Sequence, residues 1–319
     1  MKQYAHAWLA FKAIERLEKA ALEPEDRKCA DHLIRWFKNH RDGVIRGAWY
    51  PDTMIKDNAS SHILKITPAD KNDSQNVFKI LPAEYQIAAL TKSSSLRDKS
   101  FIIDKTTNLP DRCESIAHSV VDHLKTKECE EKGSPVSSND NHIALIFFML
   151  SHYVADGHVP FHCDARQFSE GANLHAHVEG IWDDAVKRLY RIDYDNGRFY
   201  YEPDGYPLRE SNLEAEYQAS FLKKVDDSLG NRAFKISYGG KNTNVWDFMS
   251  AVCQSSYLLC YSIIPEGNDQ TNVTLQNWQS LGSVTSDDVS IAVLSDAIDS
   301  ISRIWFRVWR RYLKWKASQ

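Results

Sequence analysis

His152-Tyr-Val-Ala-Asp156-Gly-His158-Val-Pro160-Phe-His162 follows on the longest apolar stretch of the chain, Ile143 to Leu150, and precedes Asn173-Leu-His175-Ala-His177-Val-Glu179. The apolar run reads as a helix over 141–155. His152 and Asp156, four residues apart near its end, emerge on one face. Pro160 stops that helix, and the turn after it brings His162 back alongside. His175 and Glu179 repeat the i, i+4 spacing on the next helix. Imidazole and carboxylate donors on facing helices are how bundles build metal sites in their cores. Nitrogen and oxygen donors without thiolate suit zinc, and a site with open positions is catalytic rather than structural. The stretch therefore decides for a helical bundle with a metal centre.

Helical periodicity continues on both sides. Trp8, Leu9, Phe11, Ile14 and Leu17 mark one face near the N-terminus, and Ala30, Leu33, Ile34 and Phe37 mark a second. Further helices are predicted over 83–90, 112–125, 173–190, 211–229, 245–262 and 287–316. Residues 43–73 read as irregular, because Gly43, Gly47, Pro51 and polar clusters break any period. The stretches 193–207 and 237–243, rich in Gly, Pro and Asp, are placed as short hairpins, and 129–140 and 265–286 as surface loops. No internal repeat or inter-domain linker is present. The expectation is one all-α domain over 1–319, with the metal-ligand part at 1–192 and a C-terminal helical part at 193–319.

Composition bounds the function. The 319 residues carry 39 Lys+Arg against 43 Asp+Glu, a net charge of −4, which excludes a protein that holds nucleic acid by bulk charge. No apolar run approaches the length of a membrane span, and Met1-Lys2-Gln3-Tyr4-Ala5-His6 opens without the apolar core of a signal peptide, so a cytoplasmic location is expected, with export by another route as the alternative. Six scattered cysteines without a C-x-x-C pair read as free thiols. Asn58 and Asn272 stand in glycosylation sequons, which matter only in an exported protein.

The pattern H-x-x-x-D-x-x-x-P-x-H followed by N-L-H-x-x-x-E resembles the zinc-dependent phospholipase C and S1/P1 nuclease superfamily. The resemblance reaches back to His6 and to Gly47-Ala-Trp-Tyr-Pro51-Asp52, which is similar to that family's G-A-x-x-P-D element. His62 fits the next imidazole, at a shorter interval from Asp52 than the family shows. The resemblance implies an all-helical phosphoesterase with up to three zinc ions. It assigns Asp52, His62, His152 and Asp156 to one ion, and His162, His175 and Glu179 to a second. It assigns the third to His6, to Asp156 as a bridge, and to the N-terminal amine and carbonyl of Met1. It also implies that Asp52 is the catalytic group that orients a water or accepts its proton; Asp57 is the reserve candidate for the ligand position of Asp52.

Other donors are weighed against ordinary roles. His118 and Asp122 share the i, i+4 spacing but lack a downstream P-x-H. His158 is read as a residue supporting the ligands or facing substrate, His177 as pointing away from the His175 face, and Cys163 as lacking a base. The leading function is hydrolysis of phospholipid head-group phosphoesters by a zinc-dependent phosphodiesterase of phospholipase C type. The alternatives are a nuclease cleaving single-stranded DNA or RNA to 5′-nucleotides, with Trp182-Asp183 as a displaced relic of its motif, and a zinc-cluster binding protein without turnover. The basic and Trp-rich segment 301–316 is weighed as a peripheral membrane contact against a last helix packing Trp305, Trp309 and Tyr312 onto the core, the favoured reading.

Overall fold

The computed structural model describes residues 1–69, 77–129, 138–166, 174–239, 242–268, 278 and 283–319. The chain is all-α. Its long helices are α1 (Gln3–Lys19), α2 (Pro24–His40), α5 (Leu109–Glu128), α6 (Asp140–His158), α7 (Leu174–Leu189), α10 (Val245–Ile263) and α11 (Ser286–Lys316). Shorter ones are α3 (Val44–Tyr50), α4 (Gln86–Leu90), α8 (Glu214–Ala219) and α9 (Phe221–Gly230). Several of them start on a side-chain cap. Asn139 accepts from the amide of His142 at the head of α6, and Thr285 and Asp288 form a reciprocal capping box on α11.

Helix α11 runs along the middle of the molecule, packing on α1, α2, α4, α5, α6 and α9, and α6 is covered by α3, α5 and α10. One hydrophobic cluster runs through the described residues from Met1 to Tyr312. Trp305, Trp309 and Tyr312 are buried in it, and Arg303 is fully buried with its guanidinium 3.0 Å from Glu84. The aromatic side of this helix belongs to the core, and Arg303 of the basic segment 301–316 is taken up in an internal ion pair. No helix among the described residues is long and apolar enough to cross a membrane.

Three sequence expectations are corrected. The described part of the stretch 43–73, residues 43–69, is not irregular: it holds α3, a π-helical turn Pro51–Ile55, a 3-10 turn Ala59–His62 and strand β1 (Ile66–Ala69), which pairs antiparallel with β2 (Ser100–Ile103). Gly47 is helical here because a Cβ at that position would stand 2.8 Å from Phe148, so the glycine is what lets α3 lie against α6. The helix expected over 211–229 is broken into α8 and α9 at Ser220. That residue is extended, and its hydroxyl caps α9 by accepting from the amide of Lys223. Of the two hairpins, 193–207 forms around β3 (Ile192–Asp193) and β4 (Arg198–Phe199), with Gly197 at φ 63° in the turn. No strand forms among the described residues of 237–243. Most of the two expected surface loops, together with Asn173 and Asn272, lies outside the described residues.

Candidate metal centre

The nine residues singled out as ligands come from five places in the chain and meet at one end of the bundle. The N-terminus just before α1 delivers Met1, α1 delivers His6, and the π-helical turn after α3 delivers Asp52. The 3-10 turn delivers His62, the end of α6 and its following turn deliver His152, Asp156 and His162, and α7 delivers His175 and Glu179. Their donor atoms fall into three groups: His6, His152 and Asp156; Asp52, His62 and His152; and His162, His175 and Glu179.

Asp156 is the hub. One carboxylate oxygen lies 3.2 Å from the Met1 amine and 3.5 Å from His6 Nε2; the other lies 3.0 Å from His62 Nδ1 and 3.2 Å from His152 Nε2. Glu179 Oε1 is 2.7 Å from the Met1 amine, 2.7 Å from His175 Nε2 and 3.3 Å from His162 Nε2. Asp52 Oδ1 stands 3.5 Å from His152 Nε2 and 3.8 Å from His62 Nε2, and it is the most exposed of the set. The centre opens into a cavity of about 610 Å³ whose wall also includes Lys56, Asp57, Ala59 and Ile63.

The ring orientations fit a metal. His152 Nδ1 donates to the carbonyl of Ala48 at 2.8 Å, and His162 Nδ1 donates to the carbonyl of His62 at 2.8 Å. A carbonyl only accepts, so both rings carry their proton on Nδ1 and turn the other nitrogen into the centre. His162 Nε2 then faces His175 Nε2 at 3.0 Å, and His152 Nε2 faces His62 Nδ1 at 3.1 Å. These contacts bring ring nitrogens and carboxylate oxygens together at the spacing of a ligand set. His6 is fully buried, stacked on His152 with ring centres 4.0 Å apart, and neither of its nitrogens has a hydrogen-bond partner. An orphaned buried imidazole of this kind is costly unless something is ligated.

The electrostatics agree. Burial alone would pull down the Met1 amine, but the Asp156 and Glu179 carboxylates outweigh it and raise the group to about 10. Burial likewise opposes charge on His152, yet Asp156 and Asp52 raise it to about 9. Burial pushes the Asp156 and Glu179 carboxyls up, and the Met1 ammonium with the neighbouring histidines holds both well below the carboxylate range. Without a metal, the carboxylates draw protons into the places where a cation would sit.

Several other donors turn out to have structural partners. Asp57 is occupied by the Tyr153 hydroxyl at 2.5 Å and by Arg112 at 3.0 Å, so its carboxylate is tied to the wall. His118 pairs with Glu114 and Arg311 at the surface, and His177 is exposed. Cys163 is buried, and burial raises its thiol well above the ordinary value. Asp183 is not a displaced ligand: its carboxylate accepts from the amides of Tyr4 and Ala5. All six cysteines are free.

His158 is a correction. It neither supports a ligand nor faces the cavity. It is fully buried on the far side of α6, donating to the carbonyl of Val154 at 2.9 Å and accepting from Ser300 on α11 at 2.9 Å. Burial pushes it down to about 4. An ordinary histidine titrates near 6.5, so the unfolded chain takes up this proton first as pH falls. The stability due to neutral His158 is fully present above about pH 6.5 and is lost progressively down to about pH 4. Between pH 7.5 and 5 the loss is roughly 2 kcal/mol. Urea unfolding of His158→Gln beside the parent chain checks this: the variant should show the smaller fall across that window, and equal falls would refute the assignment.

No family model and no curated protein sequence matches the chain. Among solved structures, an alpha-toxin of Clostridium perfringens isolated from an avian strain is similar, with a TM-score of 0.49 and 14% identity over 96% of this chain. This chain spans 64% of that one.

Proposed function

We propose that the chain is a zinc-dependent phosphodiesterase acting on phospholipid head-group phosphoesters. The observation that carries the reading is the convergence of three His/carboxylate groups, two of them sharing His152, at an open cavity lined by Asp52, His62, Asp156, His162, His175 and Glu179. The H-x-x-x-D-x-x-x-P-x-H resemblance supports the same chemistry. Asp52, His62, His152 and Asp156 would hold one ion, and His162, His175 and Glu179 a second. His6, Asp156 and the Met1 amine would hold a third. Zinc bound there supplies a water acidic enough to give hydroxide near neutral pH and charge that stabilises a phosphoryl transition state.

The chain's own groups divide the remaining tasks. Asp156, fully buried, keeps the histidines in fixed orientation. Asp52 lies at the cavity side of the centre with its side chain about a third exposed. There it can orient an attacking water and accept its proton. Lys56 lines the same cavity and supplies a positive charge for a substrate phosphate. It sits at φ 49°, a strained backbone state that marks the end of the π-helical turn. Met54 and Ile55, 68% and 42% exposed, stand between Asp52 and Lys56. Exposed apolar side chains next in sequence to two cavity-lining residues favour an amphiphilic phosphoester.

Incubation with phosphatidylcholine vesicles and, separately, with single-stranded DNA, both with zinc, tests the proposal. Phosphocholine release with intact DNA is expected. Cleavage of DNA to 5′-nucleotides with untouched lipid would move the chain to the nuclease reading. Inactivity on both with zinc bound would leave a binding protein.

A further inference from the structure

Helix α1 starts without help from its own sequence. Lys2 at its N-cap makes no side-chain capping bond, and its first turn holds no acidic residue. Yet this end must be fixed, because Met1 and His6 both project from it into the metal centre. The missing acceptor comes from α7. Asp183 Oδ1 takes the amides of Tyr4 and Ala5 at 2.6 and 3.1 Å, and its other oxygen pairs with Lys187 at 2.8 Å. Asp183 is 2% exposed, so these bonds are made away from water.

His175, Glu179 and Asp183 follow one another at four-residue steps and share one face of α7. The first two carry donor atoms of the centre, and Glu179 also touches the Met1 amine. The third grips the backbone three and four residues further along α1. We infer that Asp183 is the positioning residue of the centre: by capping α1 from another helix, it sets the Met1 amine and His6 in register with Asp156 and Glu179. A carboxylate suits the task because two free amides and the positive end of the helix dipole meet there. Loss of such a cap frees the first turn to fray, and a ligand displaced by about 1 Å no longer closes a site.

The test uses the full chain with Asp183→Ala, Asp183→Asn and, as a control, Val186→Ala, a buried position on the same helix. Two quantities are read. The first is the rate at which acetyl N-hydroxysuccinimide acylates the Met1 α-amine of the metal-free chain, followed by peptide mass spectrometry. The second is a calorimetric zinc titration; only this arm rests on the metal reading above. Asp183→Ala should raise the acylation rate about tenfold and weaken one zinc equivalent about tenfold, leaving the others in place. Asp183→Asn keeps an acceptor oxygen and should restore both quantities to within about threefold of the parent. Val186→Ala should lower the thermal midpoint without moving either. Parental acylation in Asp183→Ala would overturn the inference, as would equal changes in Val186→Ala. If the parent chain takes up no zinc, the proposed function falls, while the acylation rates still decide the role of Asp183.

Discussion

Asp156→Asn should abolish turnover, by roughly 10³-fold or more, and release at least one zinc equivalent. No other side chain serves so many groups at once. Its two oxygens reach the Met1 amine and His6 on one side, and His62 and His152 on the other, at 3.0–3.5 Å. The substitution keeps the volume and one acceptor, so the helices need not move. It deletes the negative charge that balances a buried ammonium and a buried imidazole. Removing one partner of a buried ion pair costs roughly 3–5 kcal/mol. That cost should show most clearly in the metal-free chain as a lower thermal midpoint. Metal analysis after dialysis, turnover and a melting curve together check the expectation. A variant with full metal content and parental turnover would refute the central place given to this carboxylate.

Chelation is the second large effect. Dialysis against a strong zinc chelator at neutral pH should remove activity completely and lower the thermal midpoint, with both restored by zinc. Each ion held at a thousandfold excess over its dissociation constant contributes about 4 kcal/mol. For a chain of this size that is roughly 6 °C per ion. Far-UV circular dichroism at 25 °C should stay helical, because Met1 is the one ligand residue whose side chain belongs to the hydrophobic cluster among the described residues. Helicity that collapses with the metal would mark a structural cluster and favour the binding-protein reading. An unchanged melting curve would mean that the donors hold no ion.

The local part of this architecture was readable in the sequence. Helices with strong apolar periodicity lie where expected, with ends shifted by a few residues. Periodicity failed where backbone contacts overrode residue preference. Gly47 reads as a helix breaker, yet sits inside α3 because Phe148 needs the space. Ser220 reads as helix-neutral, yet cuts a helix in two because its hydroxyl caps the next one. The i, i+4 pairs His152/Asp156 and His175/Glu179 were equally plain, since that spacing alone puts two side chains on one helix face.

Which donors share a centre was decided elsewhere. His158 stands two residues from Asp156, and spacing alone cannot say that α11 covers it on the opposite side with Ser300. Asp57 and Asp52 are close neighbours, and only the Arg112 and Tyr153 side chains of α5 and α6 occupy one and leave the other free to face the histidines. No local pattern announces the capping role of Asp183, because what it caps is the backbone of a helix about 180 residues away in sequence. By itself, the sequence determined the helices and the donors each one carries, since both follow from short-range periodicity. Tertiary structure decided which faces meet and which carboxylates are neutralised. It also decided where a buried positive charge is required, because those depend on contacts between segments that share no local pattern.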